Sequence, residues 1–276
     1  MDATIHLRDT RSAAAMAAAS ASPRMIALVT GATAGFGEAI ARRFVADGHR
    51  VIAAGRRVER LAALQAELGG PERVHVLPLD VRDRAATEAL VAGLPEAWRE
   101  IDVCVNNAGL ALGLEPADRA DLDDWDKMVD TNCKGLMYVT RACLPGMVAR
   151  NRGHVINIGS TAGEFAYPGG NVYGATKAFV YHFSLNLRAD LLGSLVRVTD
   201  VEPGMSSGTE FSNVRFKGDD AKAAAVYKDT LTPALSAADV ADAVAYVAGL
   251  PRHVNVNSIQ LMPVCQAFGP LAVKRV

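Results

Sequence analysis

Short apolar runs alternate with helix-periodic segments along almost the whole chain, and this alternation constrains the fold more than any other feature. Met25 to Thr30, Arg50 to Ala54, Val74 to Leu79, Ile101 to Val105, Gly153 to Ile158, Val196 to Val201 and Ser258 to Met262 read as buried strands by length and flanks. Between them, Glu38 to Asp47, Val58 to Leu68, Arg84 to Leu94, Leu122 to Met147, Tyr173 to Leu192 and Ala237 to Ala248 carry helical spacing. The pattern predicts an α/β fold: one doubly wound domain, a parallel sheet with helices on both faces. There is no internal repeat and no composition break, so the domain is expected to span 25–276.

The first 24 residues stand apart. They are rich in Ala and Ser and carry Arg8, Arg11 and Arg24. A mitochondrial presequence can have this composition, but Asp2 and Asp9 oppose that reading. A disordered N-terminal extension, or an upstream translation start, is expected instead. The remaining bulk properties exclude partners. With 29 basic and 30 acidic residues the net charge is −1, which gives no electrostatic case for nucleic acid or an anionic membrane. No apolar run approaches the roughly 18 residues of a membrane helix. Cys104, Cys133, Cys143 and Cys265 form no C-x-x-C pair and fit no zinc spacing. Structural thiols, no metal and a reducing cytoplasm are the expectation.

The first strand ends in Thr30-Gly31-Ala32-Thr33-Ala34-Gly35-Phe36-Gly37, a G-x-x-x-G-x-G turn that opens the first helix. Glycines there let the backbone approach a pyrophosphate, and the helix presents free N–H groups and a positive dipole end. The ATP-type loop G-x-x-x-x-G-K-[ST] is absent. The domain is therefore expected to be of the dinucleotide-binding, Rossmann type.

The second strand ends Ala54-Gly55-Arg56-Arg57. An NAD-selective fold places an acid near this point for the ribose 2′-hydroxyl. Gly55 leaves that position empty, whereas Arg56 and Arg57 can pair with a 2′-phosphate. Two cations near a positive dipole end are locally unfavourable without an anion. The cofactor is predicted to be NADP. Asp80 and Val81 end the third strand, within reach of an adenine. Asn106 and Asn107 end the fourth, beside the adenosine ribose. Both are carboxyl ends of parallel strands, where ligands sit in open α/β sheets.

Tyr173 and Lys177 are four residues apart on a predicted helix and share one face. An ammonium there can stand beside a phenol and lower its pKa. Ser160 lies upstream, after the apolar run Val155 to Ile158. A Ser, a Tyr and a Lys so arranged are the parts needed to move a proton onto or off a substrate oxygen. Bringing the phenol from about 10 to near 7 takes about 4 kcal/mol of differential stabilisation.

With these residues in hand, the chain resembles the short-chain dehydrogenase/reductase family from Met25 onward. The likeness rests on Thr30-Gly31-x-x-x-Gly35-x-Gly37, Asn106-Asn107-Ala108-Gly109, Asn132, Ser160, Tyr173-x-x-x-Lys177 and Pro203-Gly204. Within the family it is most similar to the NADP-dependent 3-hydroxy acid dehydrogenases, which also act on serine and allo-threonine and reduce malonic semialdehyde. The stretches Gly31 to Glu38, Asn157 to Gly163 and Thr209 to Gly218 carry that likeness. The resemblance implies that Tyr173 is the general acid/base and that Lys177 holds the nicotinamide ribose. Ser160 would anchor the substrate oxygen, and Asn132 would hold a water linking Lys177 to solvent. It also implies a homotetramer.

Pro203, Gly204, Met205 and Thr209 are expected to give the cofactor backbone contacts. The polar segment from Glu210 to Asp220 resembles a mobile lid. A carboxylate substrate needs a cation, for which Arg215 and Lys217 are the candidates; a solvated lid surface is the alternative. Glu164, just past Ser160, could instead meet a substrate amine. A carbonyl or 3-oxoacyl-thioester reductase would use the same catalytic residues with a different pocket. A non-catalytic NADP sensor would not need an activated phenol.

Overall fold

The structure, a computed structural model, describes residues 24–268 and residue 273. The expected N-terminal extension, residues 1–24, lies outside the described residues except for Arg24. Seven strands form one parallel sheet: β1 (Ile26–Thr30), β2 (Arg50–Gly55), β3 (Val74–Pro78), β4 (Val103–Asn106), β5 (Gly153–Ile158), β6 (Val196–Pro203) and β7 (Ser258–Leu261). Their order is β3-β2-β1-β4-β5-β6-β7. From β1 the chain winds outward to one edge, then returns to place β4 on the other side. The strand ends on either side of the β1–β4 seam therefore diverge, which opens a crevice at their carboxyl ends.

Side-chain alternation divides the sheet between two cores. Ala27 and Val29 of β1, with Val51, Ala53, Val103 and Val105, face α1 (Gly35–Ala46), α2 (Val58–Glu67) and, towards β6, a C-terminal helix at Ala237–Gly249. Ile26 and Leu28, with Ile52, Cys104, Val155 and Val198, face the opposite layer. There α3 (Arg84–Glu88) and α4 (Leu90–Gly93) replace the single helix expected over this stretch, the joint being Ala89.

The other expected long helix is also interrupted. α5 (Leu122–Val129) and α6 (Leu136–Ala149) are joined by a π-helical insert, Asp130–Gly135, which carries Asn132. Gly135 there abuts Val81: a Cβ on it would lie 2.6 Å from the valine Cγ2. α7 (Asn171–Asp190) runs unbroken. Two short helices, α8 (Phe211–Arg215) and α9 (Asp220–Ala225), follow β6, and α10 is the helix at Ala237–Gly249, opened by a Ser236–Asp239 capping box. Among the described residues no helix is long and apolar enough to cross a membrane. The four cysteines are free and buried.

Candidate active site

The glycine turn is pinned to the end of β4. The Thr30 hydroxyl accepts from the Asn107 and Ala108 amides, both at 3.0 Å, and Asn107 Nδ2 donates to the Thr30 carbonyl at 2.8 Å. Gly31 has φ +68, and a Cβ on it would stand 2.9 Å from Asn107 Nδ2. At Gly37 a Cβ would be 2.4 Å from both that atom and the Gly31 carbonyl oxygen. Ala34 is the N-cap of α1 and supplies no side-chain acceptor, so the first-turn amides remain for a ligand. This is a cradle that side chains would fill, and it fits a dinucleotide phosphate.

Gly31, Thr33, Ala34, Gly35 and Phe36 line the crevice with Arg56, Arg57, Asp80, Val81 and Asn107. Asp80 is paired with Arg82 at 2.6 Å. Arg57 donates to Thr33 Oγ1 through Nε at 3.0 Å and Nη2 at 2.9 Å, and its Nη1 reaches Glu210 at 2.7 Å. Three of the residues predicted in the glycine turn and at the end of β4 lie elsewhere. Ala32 is buried beneath the turn, its amide bonded to the Ala54 carbonyl. Gly37 packs against Gly31 and Asn107. Asn106 points away from the crevice, because its amide is used inside the sheet, donating at 2.8 Å to both Thr140 and Asn157.

Tyr173 and Lys177 lie on α7 and are both buried. The Lys177 Nζ donates to the Ile158 carbonyl at 2.7 Å and lies 5.9 Å from the Tyr173 ring centroid. Ser160 begins a 3-10 turn, Thr161–Gly163, and its hydroxyl accepts from the Ala162 amide at 3.1 Å. That turn seats directly on α7: a Cβ at Gly163 would be 2.8 Å from the Lys177 carbonyl carbon, and one at Gly174 3.0 Å from the Ala162 oxygen. The contact holds Ser160 against Tyr173. Asn132 closes the group from behind, accepting from the Leu110 amide at 2.9 Å. It also donates to the Leu110 carbonyl at 2.8 Å and to Thr176 at 3.0 Å.

Electrostatics here are governed by burial. The phenol of Tyr173 is pushed up to about 12 by desolvation, against the pull of the Ser160 hydroxyl and the Arg215 cation. Lys177 is pulled down to about 8 by burial, with Asp200 opposing. At Tyr173 removal from water outweighs the neighbouring charges.

A second cavity opens beyond Tyr173, lined by Ser160, Tyr167, Pro203, Gly204, Met205, Phe211 and Arg215 among others. Pro203, Gly204 and Met205, expected on the cofactor, border this cavity and not the dinucleotide crevice; Thr209 borders both. The Arg215 guanidinium donates to the Tyr167 hydroxyl and, at 3.3 Å, to the Gly113 carbonyl, and lies 5.4 Å from the Tyr173 ring centroid. Lys217 does not enter the cavity. Asp124 and Asp121 of the α5 region hold it at 2.7 and 3.4 Å. Glu164 accepts from Gln260 Nε2 at 3.1 Å.

Sequence reasoning missed Arg60, whose Nη1 meets Glu210 at 2.7 Å. Its position three residues after Arg57, one helical turn away, was the available signal. It also missed Tyr167, which orients Arg215, and two buried carboxyls, Asp200 against Gly159 and Glu202 beside Ser258 and Gln260.

Known proteins resemble this chain in sequence and in fold. Residues 25–220 match the family model for short chain dehydrogenase. An NADP-dependent 3-hydroxy acid dehydrogenase of Salmonella typhi is 66% identical over 91% of this chain and 100% of that protein. Sulfoacetaldehyde reductase 2 of Chromohalobacter salexigens is 53% identical over 91% of this chain and 98% of that one. The closed form of a serine dehydrogenase complexed with NADP+ superposes with a TM-score of 0.86 at 62% identity, covering 91% and 100% of the two chains. By sequence and by architecture, this chain belongs to the short-chain dehydrogenase family.

Proposed function

We propose that the protein is an NADP-dependent oxidoreductase that interconverts short 3-hydroxy acids, of the serine, allo-threonine and 3-hydroxypropionate type, with the corresponding 3-oxo acids or semialdehydes. The observation that carries this reading is the place of Tyr173. It stands on the wall shared by the dinucleotide crevice and a cavity that ends in the Arg215 guanidinium. A substrate with a hydroxyl at one end and an anion at the other matches that polarity. Bound NADP supplies the hydride acceptor or donor.

The chain's residues supply the rest. In oxidation Tyr173, as phenolate, accepts the hydroxyl proton; in reduction, as phenol, it returns one. Ser160 holds the substrate oxygen beside it. Lys177, fixed by the Ile158 carbonyl, holds the ribose and contributes positive charge. Asn132, its side chain fixed by Leu110 and Thr176, would hold a water that links Lys177 to solvent. Arg215 binds the substrate anion. The sulfoacetaldehyde reductase relative supports an anion site that takes sulfonate as well as carboxylate.

A cytoplasmic homotetramer with one catalytic domain over 25–276 completes the proposal. The free buried thiols support a reducing compartment, and light scattering tests the assembly. The deciding experiment is NADP+ reduction over serine, allo-threonine, 3-hydroxypropionate and 3-hydroxyisobutyrate beside uncharged alcohols of the same size. Turnover confined to the anionic substrates is expected; faster turnover of the uncharged alcohols overturns the reading.

A further inference from the structure

Glu210 closes the adenosine end of the crevice. Its Oε2 accepts from Arg57 Nη1 and its Oε1 from Arg60 Nη1, both at 2.7 Å. Arg57 is the N-cap of α2 and Arg60 lies in its first turn, so both side chains leave the same helix end. Thr33 of the glycine turn orients the pair, receiving Arg57 on its hydroxyl and Arg60 on its carbonyl at 3.4 Å. The carboxyl of Glu210 is held below the usual carboxylate range, by Arg57 first and Arg60 next. One anion with two oxygens thus sits in a fork of two guanidiniums, the arrangement that recognises a phosphate monoester.

We propose that Glu210 is an internal competitor for the 2′-phosphate of NADP: its carboxylate occupies the Arg57–Arg60 fork, and a 2′-phosphate binds by displacing it. The inference rests on the NADP reading above. It makes Arg60 a selectivity residue alongside Arg57. It also sets a ceiling on that selectivity. A cofactor with a free 2′-hydroxyl leaves Glu210 in place, so the two arginines keep a partner and add no penalty against it. Discrimination is then the phosphate's advantage over a tethered carboxylate, not over bare guanidiniums. Glu210 is the residue immediately before α8, so the competitor is carried by the lid segment.

The side chains of all three residues are roughly half exposed, so each pair is weak and screened by salt. The effect to expect is a matter of several-fold at low ionic strength. The test is titration calorimetry of the full chain with 2′,5′-ADP and with 5′-AMP. Glu210→Gln is expected to bind 2′,5′-ADP about three- to tenfold tighter than wild type, with 5′-AMP unchanged and the gain shrinking as salt is raised. Arg60→Met is expected to weaken 2′,5′-ADP alone. If Glu210→Gln leaves 2′,5′-ADP binding unchanged, or tightens both ligands equally, the competitor is refuted while the NADP reading stands. If wild type binds the two ligands equally, the NADP reading fails with it.

Discussion

The ammonium of Lys177 lies 5.9 Å from the centroid of the Tyr173 ring, and both side chains are buried. The pair is dry, and dryness acts on its members in opposite directions: up to about 12 for the phenol, down to about 8 for the amine. Each is moved toward its neutral form. A phenol in that state is a resting acid, and it becomes a base only when further positive charge reaches it.

Tyr173 is therefore expected to stay protonated in the cofactor-free protein until the pH approaches 12. Ultraviolet difference titration of wild type against Tyr173→Phe reads this directly. Adding NADP+ should bring the ionisation down, and turnover by Tyr173→Phe should fall by about 10²–10⁴ with NADPH binding retained. A neutral-pH ionisation seen without cofactor would contradict the assignment.

Arg215 is predicted to discriminate by charge. Loss of a charge-assisted hydrogen bond costs about 1.5–3 kcal/mol, so Arg215→Met should raise KM for a 3-hydroxy acid by roughly ten- to a hundredfold. KM for a neutral alcohol should hardly change. Because Arg215 also supports Tyr167 and Gly113, Arg215→Lys is the companion variant, expected to recover part of the anion affinity. Equal losses on charged and neutral substrates would assign Arg215 to the lid's structure alone.

How far the sequence anticipated all this depends on the range of the interaction. Strands such as Met25 to Thr30 were legible because burial on both faces writes a continuous apolar run. The Tyr173–Lys177 face and the glycine turn were legible because each is local. The π insert around Asn132 was not, since one extra residue in a turn leaves the apolar spacing of Met128, Leu136 and Val139 nearly helical. Glu210 and Arg60 are 150 residues apart, and no local pattern joins them. The same holds for Lys217 and its partner Asp124. Asn106 is a different kind of miss. It is the last residue of β4, deep in the sheet layer, and its neighbour Asn107 already supplies the side chain that ties β4 to the glycine turn. The Asn106 amide is committed to Thr140 and Asn157, so it does not reach the crevice that Asn107 lines.

The turn's packing predicts which glycine tolerates a methyl group. Gly37→Ala would force a Cβ to 2.4 Å from Asn107 Nδ2 and from the Gly31 oxygen. Overpacking of this kind costs about 1–3 kcal/mol, and the turn itself must shift. Lower thermal stability and weaker NADPH binding are expected together. Gly93→Ala, where a Cβ meets nothing within 4 Å, serves as the control, neutral or slightly stabilising. A Gly37→Ala protein with wild-type stability and affinity would mean that the turn has more freedom than its contacts allow.

Asp200 offers a test on stability that is independent of turnover. Its carboxyl is buried against Gly159, where a Cβ would lie 2.5 Å from Oδ1. Burial, reinforced by Glu202 and opposed by Lys177, raises it to about 8 from an ordinary 3.8. The sign follows from linkage. Below the ordinary value the group is protonated whether the chain is folded or not, and it has no effect. Between that value and about 8 the unfolded chain ionises while the folded one does not, so stability falls as pH rises, by up to about 1.4 kcal/mol per pH unit. Above about 8 the loss is complete. Asp200→Asn keeps the shape without the titration, so its stability relative to wild type should climb steadily from pH 5 to pH 8 in urea unfolding. A stability difference that is flat with pH would show that Asp200 is ionised in the native protein and that its partners outweigh its burial.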